Sequence, residues 1–288
     1  METRIFHLHA LSALHVGTGQ GVGAVDLPIA RARATNLPLV PGSALKGVLR
    51  DEAKEQWGLD AKQIKTLFGA EHTDDNSYAG AIAFGDAHLL LLPIRSFAGT
   101  VAYATCPFIL KRYTRDVSGC VVVPELKQNQ AMIAANSKLI VAQNKMALED
   151  LDIPAQAHEQ ATQWAKEIAQ LLYPDDVANA ETWRTQLEER FVILPDDIFS
   201  FLADTATEIR MRICIDRETR IVKQGALWSE ENLPAESVLW GVMGIGAARQ
   251  KGGETAAELS KLIQSGETSI QIGGKHTVGR GLCRLLVK

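Results

Sequence analysis

The chain has 288 residues, enough for one large domain or two small ones, and 34 acidic against 30 basic residues give a formal net charge of −4. That total argues against a generic basic nucleic-acid binder. No apolar run reaches the roughly 18 residues of a membrane helix. The N-terminus does not have the pattern of a secretory signal. We therefore expect a cytoplasmic protein with no membrane partner.

The four cysteines are widely scattered and form no CxxC pair, so neither a zinc site nor a disulfide framework is expected. They are Cys106, Cys120, Cys214 and Cys283. Reduced thiols agree with a cytoplasmic location.

Basic residues are concentrated in three segments without any acidic residue, 31–50, 87–115 and 268–288. Segment 149–197 is the opposite, with 12 acidic and 3 basic residues. If the basic segments meet in space, they form a positive groove that attracts an anionic polymer. If they do not meet, they are solvated loops, and charge alone does not decide between the two.

The first predicted element is a strand over residues 4–16, in which apolar residues alternate with polar ones. A glycine-rich loop follows from Gly17 to Asp26, where glycines permit tight turns or close approach to a ligand. Residues 38–57 predict an amphipathic helix, and Ser43 is its expected N-cap.

The remaining elements decide the predicted fold. In chain order they are strands over 81–94 and 100–110, an amphipathic helix over 155–172, a hairpin over 208–228, a short helix over 255–264, and strands over 268–272 and up to Val287. This order is typical of a ferredoxin-like α+β fold. We expect a single domain with a core of about 1–110 and 235–288. The insertion, about 111–234, would hold acidic helices and the hairpin.

The segment PGSALKG, residues 41–47, places Gly42 and Ser43 at the predicted helix start, with Lys46 as the third helical residue. Free backbone N–H groups, a hydroxyl and an ammonium would then face one anion, for which phosphate is the natural ligand. The spacing is not that of a P-loop. Local features alone favour an ordinary capped helix with a surface lysine.

The C-terminal loop QIGGKHTVGRG, residues 271–281, has a similar character. Its glycines let backbone amides and cations approach a phosphate closely. We favour this interpretation over a polar hairpin turn, because the loop and the PGS helix start share the same residue types. The residues concerned are Gly273, Gly274, Lys275, His276, Gly279, Arg280 and Gly281.

Asp26 is an isolated carboxylate after the glycine-rich loop. In a basic neighbourhood it would have a low pKa, and it could hold a hard cation such as Mg²⁺ or orient a hydroxyl nucleophile. Local features favour a turn aspartate bonded to its own backbone. His7 and His9 form an HxH pair that is a weak metal signal, whereas His15 borders the glycine-rich loop.

Five segments together resemble the RAMP superfamily and, more narrowly, the backbone subunits of the type III-B CRISPR–Cas effector, the Cmr complex. The segments are LHVGTGQGVGAVDLPIAR (14–31), LPLVPGSALKGVLRDEA (37–53), AGAIAFGDAHLLLLPIRS (79–96), GALWSEENLP (225–234) and IQIGGKHTVGRGLCR (270–284). The resemblance covers nearly the whole chain. The PGSALKG segment and the C-terminal loop are shared across the superfamily.

The resemblance implies a subunit that stacks with further copies of itself along a guide RNA, the crRNA, beside other Cmr subunits. It implies a ferredoxin-like (RRM-like) palm with an inserted helical region and a thumb β-hairpin, placed here at about 208–228. The thumb would wedge into the guide–target duplex. The target RNA would then be cut at regular intervals in a reaction that depends on a divalent metal, Mg²⁺ or Mn²⁺.

The resemblance also assigns roles to single residues. Asp26 matches the essential carboxylate and is a candidate metal ligand, His15 matches a supporting residue, and Glu230 is a further candidate. The guide-backbone contacts would be Gly42, Ser43, Lys46, Arg50, Gly273, Gly274, Lys275, Gly279 and Arg280.

Two alternatives stay open at this stage. One is a scaffold that coats the guide without cutting, in which Asp26 is only a turn residue. The other is a metabolic enzyme that binds a phosphate or nucleotide with the same loops. If the chain is a nuclease, we expect slow cleavage that depends on geometry, because the sequence lacks the paired histidines of efficient ribonucleases.

Overall fold

The computed structural model describes residues 1–19, 21, 23–70, 78–117, 119, 121–126, 129–250 and 252–288. Cys120 lies outside them. The strands are β1 (Glu2–Ala10), β2 (Leu39–Val40), β3 (Ile82–Phe84), β4 (Ala87–Ser96), β5 (Thr100–Thr105), β6 (Ala131–Ile133), β7 (Lys145–Leu148), β8 (Leu151–Ala157), β9 (Phe191–Ile193), β10 (Glu208–Ile215), β11 (Val222–Asn232), β12 (Val238–Ile245), β13 (Gly266–Gln271) and β14 (Leu282–Val287).

Seven α-helices connect these strands in the described part of the chain. They are α1 (Gly42–Trp57), α2 (Ala61–Phe68), α3 (Pro107–Asp116), α4 (Glu159–Leu172), α5 (Ala180–Glu188), α6 (Asp196–Thr205) and α7 (Ala256–Ser260). None of the helices in the described ranges is long and apolar enough to cross a membrane.

One half of the main sheet has the strand order β13-β14-β1-β12-β4, with every neighbouring pair antiparallel. Strand β1 is hydrogen-bonded on both edges, and Phe6, Leu8 and Ala10 are fully buried. His7 and His9, on the opposite face, are buried as well. Both faces of β1 are therefore covered, which makes it a central strand of the core.

The other half of the sheet closes on itself. From β4 the order continues β5-β9-β6-β8-β7, and β7 pairs back with β4 where Leu148 lies opposite Ser96. Strand β4 therefore belongs to both halves: Leu89 and Leu91 pair with β12, and Leu92 pairs with β5. Its apolar run LLLLPI is buried because it is covered in both settings.

The structure corrects several sequence predictions about boundaries. The strand expected over 81–94 is two strands, β3 and β4, and the helix expected over 155–172 begins at Glu159, after β8 has ended at Ala157. Strand β1 ends at Ala10 instead of residue 16. The strand expected over 100–110 stops at Thr105, and helix α3 begins at Pro107, where a missing N–H costs nothing. The hairpin extends past residue 228, because β11 continues to Asn232.

The segment 111–234 is more than a helical insertion. It contains α4, α5 and α6, but it also supplies strands β6 to β9 to the closed half of the sheet. Pairing continues from β4 through β5 to β9, where Tyr103 lies opposite Phe191. Helix α4 therefore packs on β6 and β9, which belong to a sheet that is continuous with the N-terminal strands, and α5 packs on α4.

Strands β10 and β11 form a separate two-stranded hairpin. Its outer part exposes apolar side chains, including Met211 at 62% and Leu227 at 59% of their surface. Its inner end is buried, from Ser229 to Asn232. One hairpin thus joins an exposed apolar surface to the interior of the molecule.

Candidate functional site

Two loops, the loop after β1 and the C-terminal loop, meet at the inner end of strand β11. The loop after β1 joins it through an isolated bridge between Leu27 and Glu230 and another between Leu14 and Leu233. The C-terminal loop joins the same place, because the Gly274 N–H donates to the His15 carbonyl oxygen at 2.8 Å. The structure thereby brings Asp26, His15, Glu230 and the C-terminal glycine loop into one neighbourhood.

Asp26 is exposed, and Ser229 holds its carboxylate. Its Oδ2 accepts from the Ser229 backbone N–H at 2.7 Å and from the Ser229 hydroxyl at 2.8 Å. These two donors lower the pKa of Asp26. The low pKa was expected, but its main cause is hydrogen bonding to Ser229 instead of nearby cations.

The alternative of an aspartate bonded only to its own turn does not describe this site. Asp26 reaches Ser229, which lies 203 positions later in the chain, on strand β11. Its backbone N–H also donates to the Ser229 hydroxyl oxygen at 3.0 Å. The carboxylate is therefore placed by a tertiary contact.

His15 is buried between the two glycine-rich loops. Its Nδ1 lies 2.7 Å from the Glu231 carbonyl oxygen and therefore donates to it, since a carbonyl only accepts. This leaves Nε2 as the acceptor in the neutral ring. A side chain at Gly17 would come within 2.8 Å of that Nε2, so the glycine leaves room for the imidazole.

Glu230 is completely buried, and neither of its carboxylate oxygens has a hydrogen-bond partner among the described residues. Two cations approach it without reaching hydrogen-bond distance: Lys275 Nζ at 3.8 Å and Arg212 Nε at 3.9 Å. Lys275 Nζ also lies 5.6 Å from the centre of the Trp228 ring. Glu230 therefore lies between Arg212 of the hairpin and Lys275 of the C-terminal loop.

Glu231 is a residue that sequence reasoning missed. Its Oε1 accepts from Arg31 at 2.5 Å and from the Thr207 hydroxyl at 2.9 Å, and its Oε2 accepts from the Ile29 backbone N–H at 3.1 Å. It thus anchors the segment after Asp26 to the base of the hairpin. Arg31 of the basic segment 31–50 is therefore engaged in an ion pair with Glu231.

Two of the four glycines in the C-terminal loop, Gly273 and Gly281, are needed for close packing. A Cβ at Gly273 would overlap the His15 carbonyl oxygen, and one at Gly281 would overlap the Ile272 carbonyl oxygen. Gly279 has open space around it and a φ of 76°. Arg280 is half-buried, and its Nε has no hydrogen-bond partner in the part of the chain that the structure describes. The loop is therefore a compact structure that presents Lys275 beside the hairpin.

The PGS helix start differs from the sequence prediction. Helix α1 begins at Gly42 after the N-cap residue Pro41, so Ser43 is not the cap. The Gly42 N–H is not free, because it donates to Asp86 Oδ1 at 2.9 Å. A Cβ at Gly42 would overlap the Phe84 carbonyl oxygen. The glycine is required by packing, and a neighbouring carboxylate already occupies its N–H.

Lys46 is the fifth helical residue instead of the third. Its Nζ donates to the Ile82 carbonyl oxygen at 3.0 Å. Burial, and then the charge of Arg50, lower the pKa of Lys46. Ser43 is exposed and Arg50 is half-buried on the same helix. The first turns of helix α1 are therefore attached to β3 and to the β3–β4 connection. The C-terminal loop is instead attached to the inner end of β11.

The described residues include no group of three or more His, Cys, Asp or Glu side chains that could hold a metal ion. Asp26 offers an exposed carboxylate of the kind that Mg²⁺ uses together with substrate phosphates. The residues therefore fit a cation shared with a bound phosphate and do not form a protein cage for it.

The comparisons with known proteins agree with this architecture. The RAMP superfamily model matches residues 7–284, and the chain belongs to that superfamily. A protein from Pyrococcus furiosus named CRISPR system Cmr endoribonuclease Cmr4 is 32% identical over 294 residues, covering 100% of this chain and 96% of that protein.

Two solved structures are also similar. The crystal structure of oligomeric Cmr4 from Pyrococcus furiosus has a TM-score of 0.73 at 27% identity, covering 100% of this chain and 98% of that chain. A chain of the cryo-EM structure of the Type III-B Cmr-beta bound to cognate target RNA has a TM-score of 0.74 at 20% identity, covering 100% and 97%. The second likeness shows a shared fold.

Proposed function

We propose that this chain is the backbone subunit of a type III-B CRISPR–Cas ribonucleoprotein, coats the crRNA and cleaves complementary target RNA at regular intervals in antiviral defence. The observation that carries the proposal is the 32% identity, over the whole chain, to a protein named as a Cmr endoribonuclease. The placement of an exposed, ionised Asp26 beside the hairpin agrees with it.

Within this proposal the palm is ferredoxin-like and the hairpin is the thumb. The chain order β1, α1, β4, β12, α7, β14 follows the β-α-β-β-α-β pattern of that fold, which supports the palm. The exposed apolar side chains of the hairpin suit a wedge that displaces a nucleotide from a duplex. Because β11 continues from this wedge to Ser229, the displaced nucleotide would lie near Asp26.

The proposed chemistry is attack of a 2′-hydroxyl on the neighbouring phosphate. The attacking oxygen, the phosphorus and the leaving 5′-oxygen must be aligned, which A-form pairing prevents and a displaced nucleotide allows. Asp26 would orient the hydroxyl or receive its proton as the bond from the 2′-oxygen to phosphorus forms. The bond from phosphorus to the 5′-oxygen would then break, which leaves a 2′,3′-cyclic phosphate and a 5′-hydroxyl that takes its proton from water. His15 would support the loop that carries Asp26. Glu230 would act on the site through Lys275.

A divalent cation, Mg²⁺ or Mn²⁺, is part of the proposal. Asp26 would hold it together with a phosphate oxygen of the RNA, and the cation would neutralise charge on the phosphate. The guide contacts are proposed at Ser43, Lys46 and Arg50 of helix α1. In the C-terminal loop they are proposed at Gly273, Gly274, Lys275, Gly279 and Arg280. Gly42 has a packing role that leaves its N–H unavailable.

The proposed partners are crRNA, target RNA, other Cmr subunits and further copies of this chain, in the cytoplasm. The oligomeric crystal structure of a relative at 27% identity supports self-association. The acidic segment 149–197 would meet basic surface on the next copy. Filaments should then dissociate at high salt without unfolding of the subunit, and assembly that is insensitive to salt would contradict this idea.

Substitution of Asp26 tests the nuclease against the scaffold. In a complex reconstituted with crRNA, Asp26→Asn should reduce single-turnover target cleavage by about 100-fold or more, because the group that acts on the hydroxyl loses its charge. Target affinity should stay within about twofold, since no base contact changes. Glu55→Gln is the control, because the Glu55 carboxylate is exposed and lies outside both the candidate site and the acidic segment 149–197. Unchanged cutting by Asp26→Asn would show that Asp26 is not the catalytic residue.

A further inference from the structure

We propose that Ser229 is a positioning residue for RNA cleavage, which holds Asp26 in the orientation that the reaction needs. The inference rests on the proposed function. It concerns a residue on a distant strand that touches the carboxylate and whose role is separable from that of Asp26.

All the polar groups of Ser229 bond to residues 26 and 27. Its backbone N–H and its hydroxyl both donate to Asp26 Oδ2, at 2.7 Å and 2.8 Å. Its hydroxyl oxygen accepts from the Asp26 N–H at 3.0 Å, and its carbonyl oxygen accepts from the Leu27 N–H at 3.1 Å. One hydroxyl hydrogen and two lone pairs allow this combined donation and acceptance.

The two residues have opposite environments. Asp26 is exposed on a loop, where a free carboxylate would sample several rotamers. Ser229 is only 7% exposed, and it is paired with Met211 inside the hairpin. A buried strand residue therefore fixes an exposed side chain, which is how a preorganised site is built.

The bonds also distinguish the two carboxylate oxygens. Both donors of Ser229 engage Oδ2, so Oδ1 is not engaged by Ser229. With Oδ2 held, Oδ1 has a defined direction in which it can meet a hydroxyl proton or a cation. A misplacement of about 1 Å is enough to cost up to about 100-fold in rate.

The location of Ser229 adds a link to the hairpin. Ser229 precedes Glu230 and Glu231, which contact the C-terminal loop and Arg31 respectively. The proposed wedge and the proposed catalytic carboxylate are therefore connected by one continuous strand. Ser229 is the point on that strand at which Asp26 is attached.

The test compares Ser229→Thr with Ser229→Val in the complex reconstituted with crRNA. The two side chains have the same shape, and only threonine keeps the hydroxyl. Ser229→Val should cut the target about tenfold more slowly than Ser229→Thr in single turnover, because one of the two donors to Oδ2 is lost while the backbone donor remains. Target affinity should differ by less than about twofold between the variants.

Equal cleavage by the threonine and valine variants, with affinity retained, would overturn the inference. The inference would also be wrong if Ser229→Val slowed cleavage only in proportion to a loss of assembled complex, which gel filtration measures. A valine variant that still slows cleavage in an Asp26→Asn background would show that Ser229 does not act through Asp26.

The Asp26→Asn arm separates this inference from the proposed function. If Asp26→Asn abolishes cutting and the Thr/Val pair does not differ, the nuclease proposal stands and the positioning role is wrong. If Asp26→Asn cuts normally, the catalytic assignment fails first, and the positioning role fails with it.

Discussion

The two glycine-rich basic segments have the same character in the sequence and different structures. In the PGS helix start, the Gly42 N–H is bonded to Asp86 and the Lys46 ammonium to the Ile82 carbonyl oxygen. In the C-terminal loop, Lys275 lies beside Glu230 and the loop backbone is bonded to His15. The first segment is attached to its own neighbouring strands, and the second is attached to the candidate site.

This difference shows that a glycine beside a cation does not by itself identify a phosphate site. Gly42 and Gly281 are both required because a backbone oxygen lies against them. Packing explains these glycines before any ligand is considered. The stronger argument for RNA contact is the position of the C-terminal loop, because it lies in the same neighbourhood as Asp26 and the hairpin.

The largest expected effect on the free energy of unfolding is that of Gly281→Ala in the C-terminal loop. The new Cβ would overlap the Ile272 carbonyl oxygen, and the residue has a φ of 75°. We expect a loss of about 3 kcal/mol in the free energy of unfolding. The control Gly279→Ala shares the positive φ but has open space, so it should lose only about 1 kcal/mol. Urea unfolding measures both, and equal losses would mean that backbone conformation alone matters.

The next largest effect on the free energy of unfolding is expected for Gly42→Ala at the start of helix α1. In Gly42→Ala the new Cβ would overlap the Phe84 carbonyl oxygen, so we expect a loss of about 2 kcal/mol in unfolding free energy. Gly47→Ala, in open space on the same helix, should instead gain about 1 kcal/mol. Thermal melting of the two variants gives the comparison. A neutral Gly42→Ala would show that the helix start can move away from the β3–β4 connection.

The smallest expected effect is a difference between Lys275 and Lys46 in the salt dependence of crRNA binding. Lys275→Gln should reduce the slope of log affinity against log salt by about 1 for the crRNA, as the loss of one phosphate contact does. Lys46→Gln should reduce it by about half that amount or less, because its ammonium is half-buried and bonded to the Ile82 carbonyl oxygen. Filter binding at several salt concentrations measures both slopes. Equal slopes would show that the remaining N–H groups of Lys46 reach the RNA.

Much of the secondary structure could be predicted from the sequence, because hydrophobic period is a local signal. The helix predicted within 38–57 is present over Gly42–Trp57, after strand β2, and the hairpin beginning at 208 is present as well. The predictions failed where distant strands decide the outcome. Segment 111–234 was expected to be helical and a hairpin, but strands as short as β6 and β9 carry no periodicity that could reveal them.

The candidate site was predictable in its residue types and not in its connections. Asp26, His15 and Glu230 were selected, and the structure brings them near one another. Ser229 and Glu231 were missed, although they bond to Asp26, Ile29 and Arg31 in the segment after the glycine-rich loop. No local pattern marks a serine whose partner lies 203 positions away.

The sequence by itself determined the α+β composition, the glycine-rich loops, the uneven charge and, through its motifs, the superfamily. These follow from residue type and short spacing, which act locally. Only the tertiary structure decided that Asp26 is fixed by Ser229, that Glu230 is buried between two cations, and that the Gly42 N–H is already bonded. Hydrogen bonds and burial act between groups that meet after folding, whatever their separation along the chain.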